Sequence, residues 1–354
     1  MNHSAMKMNS SPNFSREKRR PRSARRFLPA IAVAVFSLFV AANALAQSQV
    51  NPPPWAYGFS APNGPLPKAG SESLPKDDTP KQLPGSKFTF TLKQIWDPFS
   101  PADWYPEDHP VMPEIVAHGR KPSVHACGFC HYPNGKGRSE NTCIAGLPPA
   151  YFAQTIADFK SGARKTADSR RLNANFMNTF AEGMTDEDVK AAAQYFGSMK
   201  CTPWIKVIET ATVPKTGNIG HMFIALEGAG TEPIGDRIVE LPEHTELTTQ
   251  VRDDHSGFIA YAPVGSIKKG EQLVMHGGAG KTTQCTLCHG AALQGLGPVP
   301  PLAGRSPSYI TRQLFDMQQG FRNGLWTDLM KPVVEKLTPD DMLAISAYLA
   351  SRTQ

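Results

Sequence analysis

Two short stretches of the chain repeat one arrangement of side chains that can bind a metal. In each stretch, two cysteines stand three positions apart and a histidine directly follows the second cysteine. Two thiols and an imidazole at this spacing suit four kinds of site: zinc, a dithiol redox pair, a disulfide, and covalent attachment of a c-type haem. The residues are Cys127, Cys130 and His131 in the first stretch, and Cys285, Cys288 and His289 in the second.

Covalent haem attachment explains all three residues of each stretch. Zinc needs four ligands and each stretch offers three, whereas a thioredoxin-like pair needs a βα context that the flanking sequence lacks. A disulfide leaves the histidine unexplained. In a c-type site both thiols form thioethers with the haem and the histidine binds iron. We therefore expect two covalently bound c-type haems, with His131 and His289 as axial ligands.

The surroundings of the two stretches are duplicated as well. At an offset of 158 residues, the segment 144–164 matches 302–322. A five-residue deletion then changes the offset to 153, and 177–196 matches 330–349. Self-similarity at a fixed period over segments of this length indicates a duplicated domain.

Each copy has the pattern of a helical domain. Apolar side chains recur at helical spacing from Tyr151 to Phe159. Thr185 and Thr338 stand as N-caps before acidic first turns, and Pro339 suits a first helical position. The predicted fold is therefore mostly α, with two tandem domains.

The duplication also selects the second axial ligand of each iron, for which methionine is a common choice in electron carriers. Met177 and Met330 are the two methionines that occupy equivalent positions in the copies. We therefore expect both to bind iron. Three further methionines align with other apolar residues and are expected in the core: Met184, Met317 and Met342.

Two histidines also match between the copies. His118 and His276 each stand nine residues before the first cysteine of their motif. We expect structural roles for both, because a helix at that position should pack against the last helix of its copy and not over the open haem face.

The N-terminus has the pattern of an export signal. Residues 1–46 carry eight Lys/Arg, then an apolar run, then NALA. The alternative is an uncleaved anchor, but the run of about 16 residues is short against the roughly 20 that a span needs. We expect cleavage, a periplasmic location and no membrane span afterwards.

The positive charge of the chain belongs to this segment. Residues 1–46 hold one acid and carry +7, whereas the whole chain carries +6, so the remainder is at −1. Nothing in that balance favours nucleic acid as a partner.

The repeat divides the rest of the chain. Residues 47–106 are Pro-rich and are expected to form an extended surface arm that is partly disordered near its start. KFTFTL at 87–92 alternates in polarity and predicts a short strand. The two domains are predicted at 107–202 and 265–354. Between them, 203–264 contains GHMFIALEG, DRIVEL and GFIAYAPVG, which predict short strands in a linker packed between or around the domains.

The order of motifs after the second CxxCH resembles that of the class I c-type cytochromes. PPLAG occupies 300–304, a helix then carries Tyr309 and Leu314 in the pattern Y-x-x-x-Q-L, and a methionine segment precedes LTPDDMLAISAYL. The tandem pair is similar to diheme cytochromes built from two such domains. The resemblance covers 107–201 and 265–354.

The resemblance implies a partner for each iron-binding histidine. In this family a proline carbonyl accepts a hydrogen bond from the histidine ring and fixes its orientation. Pro301, twelve residues after His289, takes that role in the second copy. Cys143, twelve residues after His131, takes it in the first copy through its backbone carbonyl.

The Cys143 thiol is then available for another bond. Cys201 is the remaining uncommitted cysteine, and the second copy has a cysteine at neither position. Since an exported chain meets an oxidising compartment, we expect a Cys143–Cys201 disulfide. The alternative is two free, buried thiols.

Two filled axial positions on each iron leave none for a substrate, which favours an electron carrier. We expect it to link a periplasmic donor, such as a dehydrogenase it serves as a subunit, to a respiratory acceptor such as an oxidase or another cytochrome. The alternative is a diheme oxidoreductase that acts on a small sulfur compound or a peroxide. A third possibility, compatible with the first, is that the arm and linker form a docking module for a partner.

Overall fold

A computed structural model describes residues 51–64 and 78–353. In these ranges the chain forms twelve α-helices, nine strands and two short 3₁₀ helices, so it is mostly helical with some strands, as predicted. The export signal predicted at 1–46 lies outside the described residues. Within the described ranges, no helix is both long and apolar enough to span a bilayer.

The N-terminal part of the described chain contains short elements. The strands β1 and β2 pair antiparallel, and β2 lies inside the stretch predicted as a strand. The elements in order are a 3₁₀ helix at Pro54–Tyr57, β1 at Lys81–Gln82, β2 at Thr89–Phe90, α1 at Leu92–Ile95 and a second 3₁₀ helix at Pro106–Asp108.

The prediction of an extended surface arm is wrong for the described residues of 47–106. Trp55, Tyr57 and Phe59 are buried in the largest hydrophobic core, and Leu92 and Trp104 belong to a separate small core. The prolines limit regular structure, but they do not prevent burial of the aromatic side chains between them. The hydrophobic effect therefore draws the segment inward.

Five helices follow in the first copy. Their shared core includes Phe152, Ile156 and Phe196, which lie on facing sides of the fourth and sixth helices of the chain. These helices are α2 at Glu114–Ala117, α3 at Cys127–His131, α4 at Pro149–Lys160, α5 at Leu172–Gly183 and α6 at Asp186–Gly197.

The segment between the copies forms strands, three of them in the predicted stretches. In one three-stranded sheet, β9 is central, parallel to β3 and antiparallel to β8. Two antiparallel ribbons, β4 with β7 and β5 with β6, complete the segment. The elements are β3 at Ile205–Glu209, β4 at Thr212–Pro214, β5 at Thr216–Ile219, β6 at Met222–Ala225, β7 at Thr231–Pro233, β8 at Val239–Pro242, α7 at Thr245–Thr249 and β9 at Phe258–Ala262.

The second copy repeats the helical order of the first. Its core joins α12 residues such as Leu343 to the sheet residues Leu241 and Ala260 and to Tyr57. The helices are α8 at Ser266–His276, α9 at Thr286–His289, α10 at Pro307–Gln318, α11 at Thr327–Val334 and α12 at Pro339–Ala350.

The two copies contact each other through equivalent residues. Lys165 N donates to Phe321 O at 2.8 Å, and Asn323 N donates to Ala163 O at 2.7 Å. At the offset of 158, Lys165 is equivalent to Asn323 and Ala163 to Phe321. The bonds are therefore reciprocal, which is the contact pattern of a twofold axis.

Side chains near this axis also form equivalent hydrogen bonds in both directions between the copies. An Arg164 guanidinium nitrogen donates to the Tyr309 hydroxyl at 3.3 Å, and one of Arg322 donates to the Tyr151 hydroxyl at 2.8 Å. Each arginine thus reaches the tyrosine of the other copy, so the sequence duplication is expressed as an internal pseudo-twofold contact.

Candidate haem-binding sites

Both CxxCH stretches form a single helical turn. Residues three apart on a helix share a face, so α3 presents Cys127 and Cys130 on one side, and α9 and the residue that precedes it do the same with Cys285 and Cys288. All four are free thiols. Two thiols on one face, with a histidine at the end of the turn, match the needs of double thioether attachment.

Each histidine ring is oriented by a backbone carbonyl eleven residues later. His131 Nδ1 lies 3.3 Å from Thr142 O, and His289 Nδ1 lies 2.8 Å from Pro300 O. Because a carbonyl can only accept, Nδ1 carries the proton and Nε2 is the nitrogen suited to iron.

The prediction that the Cys143 and Pro301 carbonyls orient the histidines is therefore wrong by one residue. Backbone dihedral angles decide which carbonyl faces the ring, and Thr142 has a φ of +73°, outside the extended region. Both displaced carbonyls accept instead from Arg305: Pro301 O from Nε at 2.7 Å and Cys143 O from a terminal nitrogen.

In each copy, a loop runs from the histidine to the carbonyl that orients it. Each loop depends on a glycine that the sequence analysis did not single out. Gly137 N donates to His131 O at 2.8 Å, and Gly295 N donates to His289 O at 2.9 Å. Their φ angles are +64° and +86°, and an added Cβ at either would lie 2.7 Å from a backbone oxygen of the loop. Both features require glycine. The signal was present, since the two glycines are equivalent at the offset of 158.

Burial sets the protonation of these groups. It raises the pKa of Cys127 to about 12 and that of Cys285 to about 11. It lowers the pKa of His131 to about 4, and it also lowers the pKa of His289. Protonated thiols of high pKa do not suit a reactive dithiol, whereas a neutral imidazole is the form that binds metal.

The helices that carry Met177 and Met330 pack against the segment that precedes the CxxCH motif of their own copy. Near the end of α5, the Gly183 Cα is so close to Val124 that an added Cβ would lie 2.6 Å from the valine side chain. In the second copy, the Thr282 hydroxyl donates to Val333 O of α11 at 2.6 Å. Val124 and Thr282 are equivalent, three residues before the first cysteine.

In the first copy a chain of rings joins α5 to the CxxCH turn. Phe129, inside the motif, lies 5.9 Å from His125, and His125 lies 4.8 Å from Phe180 between ring centroids. Phe180 stacks on Phe176 at 5.9 Å. The helix of Met177 and the attachment turn therefore share one aromatic cluster.

The surface around both methionines fits an apolar ring. Met177 and Met330 are half-buried, and the residue before each is an exposed large apolar one: Phe176 at 50% and Leu329 at 76%. A porphyrin placed against these side chains would cover apolar area that otherwise faces water. The remaining methionines considered, Met184, Met317 and Met342, are buried, as expected of core residues.

The structure also places the predicted disulfide and the two matched histidines. Cys143 and Cys201, the predicted pair, form a disulfide across a separation of 58 residues, and both are buried beside Trp204. His118 and His276 are exposed.

Comparison with known proteins gives the class. No protein-family model matches the chain. It is 24% identical over 237 residues to the "Thiosulfate dehydrogenase electron acceptor" of Stutzerimonas stutzeri, covering 66% of this chain and 82% of that one. It is 36% identical over 76 residues to "Cytochrome c-554(548)" of Halomonas halodenitrificans, covering 21% and 92%.

A further relative is the "Cytochrome subunit of sulfide dehydrogenase" of Chlorobaculum tepidum, 31% identical over 89 residues, which are 25% of this chain and 73% of that one. Two helical copies, each with a CxxCH turn, together with these relatives define a cytochrome. The chain belongs to the class I c-type cytochrome family, as a tandem member with two haem-attachment motifs. It carries two covalently bound c-type haems.

Proposed function

We propose that the chain is an exported electron carrier that accepts electrons from a dehydrogenase of an inorganic sulfur compound and passes them to a respiratory acceptor. The donor class is supported by relatives named for thiosulfate and sulfide dehydrogenases. Export to the periplasm is supported by the signal-like pattern of residues 1–46. The haem domains are assigned to 107–202 and 265–354, with 203–264 as the linker.

The observation that carries this proposal is the matched pair of methionines. Each is half-buried on a helix that touches the segment leading into its own CxxCH turn. Histidine and methionine would together hold each iron, which would then supply electron transfer and leave no position for a substrate. For the first haem, Cys127 and Cys130 are assigned to covalent attachment and His131 and Met177 to the iron. For the second haem, Cys285 and Cys288 are assigned to attachment and His289 and Met330 to the iron.

The chain's own residues set how readily an electron is held. Each haem supplies a one-electron iron couple when bound. The Thr142 and Pro300 carbonyls hold the imidazoles in one tautomer, which fixes the ring and strengthens Nε2 as a donor. A soft methionine thioether favours the reduced state and raises the potential.

The ligation is tested by the visible spectrum of purified holoprotein. Wild type is expected to show the methionine–iron charge-transfer band from both haems, without a high-spin component. Met177→Ala and Met330→Ala should each remove about half of that band.

Met184→Leu is the matched control, because the second copy has Leu337 at the equivalent position. It should leave the band intact. If neither alanine variant weakens the band, the methionine assignments are wrong.

The role as an acceptor is tested by mixing oxidised holoprotein with thiosulfate or sulfide, with and without a purified dehydrogenase for that compound. Reduction of the haems should require the dehydrogenase. Rapid, repeated turnover with the sulfur compound alone, together with a high-spin haem, would favour the oxidoreductase alternative.

A further inference from the structure

Arg305 lies where the two copies meet, just after the loop that orients His289. It is 3% exposed. Its Nε donates to Pro301 O at 2.7 Å, one terminal nitrogen donates to Cys143 O, and the other reaches Ala145 O at 3.5 Å. One guanidinium therefore spans both copies.

The carbonyls that it binds are equivalent. Pro301 and Cys143 correspond at the offset of 158. Each directly follows the residue whose carbonyl accepts the histidine Nδ1–H, Pro300 or Thr142. Arg305 thus holds the two histidine-orienting segments against one another.

The arginine that connects the two segments is present in the second copy alone. The residue equivalent to Arg305 in the first copy is Leu147, which is buried in the core of that copy. The pseudo-twofold symmetry is therefore broken at this point by a single charged side chain that serves both sites.

Arg305 is also a buried cation that binds no side-chain carboxylate in the described part of the chain. Among residues 51–64 and 78–353 it takes part in no ion pair, and its acceptors are three backbone carbonyls. By contrast, the half-buried Arg138 pairs with the buried Glu140 at 2.6 Å. A charge in a medium of low polarity acts over longer distances than one in water.

We propose that Arg305 is a positioning residue that fixes both iron-binding histidines through their orienting peptides and raises the reduction potentials of both haems. A positive charge between the two sites stabilises the state with one more electron at each. This inference rests on the ligation proposed above.

The test is a spectroelectrochemical titration of purified holoprotein that resolves both midpoint potentials. Arg305→Gln retains an amide donor and removes the charge, and it should lower both potentials. A tenfold change in the one-electron equilibrium constant at each haem corresponds to about 59 mV. Arg305→Lys retains the charge and should keep both potentials near wild type.

Arg164→Gln is the matched control. Arg164 is buried at the same contact, but its side chain binds Tyr309 and Gln313, not the histidine loops. It should shift the potentials much less than Arg305→Gln.

Haem content per chain and far-UV circular dichroism are measured for every variant, so that loss of fold is recognised. If Arg305→Gln folds with two haems and leaves both potentials unchanged, or if Arg305→Lys lowers them as far as Gln does, the inference is wrong. A wild type without two methionine-ligated haems would instead overturn the proposed function.

Discussion

At the scale of single residues, backbone carbonyl groups accept hydrogen bonds from the side chains that bind metal or carry charge, and thereby orient them. His131 and His289 are each oriented by one carbonyl, and Arg305 binds the next carbonyl in both copies. The same contact places guanidinium groups of both copies around Tyr151. Its phenol hydroxyl accepts from Arg322 at 2.8 Å.

Tyr151 should therefore titrate at an unusually low pH. Burial alone would raise its pKa, but the guanidinium groups of Arg322, Arg164 and Arg305 lower it to about 8. Since an unfolded tyrosine titrates near pH 10, the unfolded chain binds more protons between about pH 8 and 10, and stability should rise with pH across that window.

The ultraviolet absorption of tyrosinate is measured in the holoprotein as a function of pH. The titration of Tyr151→Phe is then subtracted from that of the wild type. A transition near pH 8 is expected in wild type and should be absent from the variant. Identical titrations of the two proteins would contradict the prediction.

At the scale of elements, the last helix of each copy begins with the same device. Thr185 Oγ1 accepts from Asp188 N at 3.2 Å while Asp188 accepts from Thr185 N at 3.0 Å. Thr338 and Asp341 make the same pair of bonds at 3.2 and 2.9 Å. Each reciprocal pair satisfies backbone N–H groups that a helix start leaves without partners.

Removal of these caps should cost similar stability in both copies. Thr185→Ala and Thr338→Ala are each expected to lower the free energy of unfolding by about 1 kcal/mol. Thr→Ser at either position keeps the oxygen and should cost much less. Denaturant unfolding followed by circular dichroism provides the comparison, and alanine variants as stable as their serine counterparts would show that the caps contribute nothing.

At the scale of the whole molecule, the aromatic residues of 51–64 are part of the largest hydrophobic core. The Tyr57 hydroxyl donates to Asp316 Oδ1 of α10 at 2.7 Å, and its carbonyl accepts from Arg171 of the first copy at 3.0 Å. Its ring meets Phe315 edge-on at 6.3 Å. One residue of the segment thus contacts both copies.

Tyr57→Phe should therefore destabilise the whole described fold. The buried Asp316 carboxylate loses a donor, a loss worth about 1–3 kcal/mol, and Tyr57→Ala should cost more because a cavity is added. Val111→Ala, at a side chain that is 94% exposed, is the control and should have little effect. Thermal unfolding of the holoprotein measures all three; wild-type stability in Tyr57→Phe would refute this role.

Much of the site could be predicted from sequence because its parts are local or repeated. Two cysteines three apart reach one face of any helical turn, whatever surrounds it. The repeat register singled out Met177 and Met330, and it left Cys143 and Cys201 as the pair that the structure joins. These inferences need only the spacing of residues along the chain and, for the disulfide, the oxidising compartment that an export signal implies.

Carbonyl orientation and strand pairing could not be predicted in this way, because residue spacing does not specify backbone direction. Which carbonyl faces a histidine is decided by backbone dihedral angles such as the +73° φ of Thr142, so Thr142 and Pro300 were missed in favour of their neighbours. The strand β3 was missed because its pairing with β9 joins segments about fifty residues apart.

The sequence by itself determined two haem-attachment turns, a duplicated helical framework and a disulfide confined to one copy, since each follows from local periodicity or from comparison of the chain with itself. Only the tertiary structure decided how the copies meet, that aromatic residues of the Pro-rich segment such as Tyr57 are buried, and that Arg305 bonds to carbonyls of both copies. The physical reason is that these contacts join residues more than a hundred positions apart. Such contacts form only when the whole chain buries its apolar surface together.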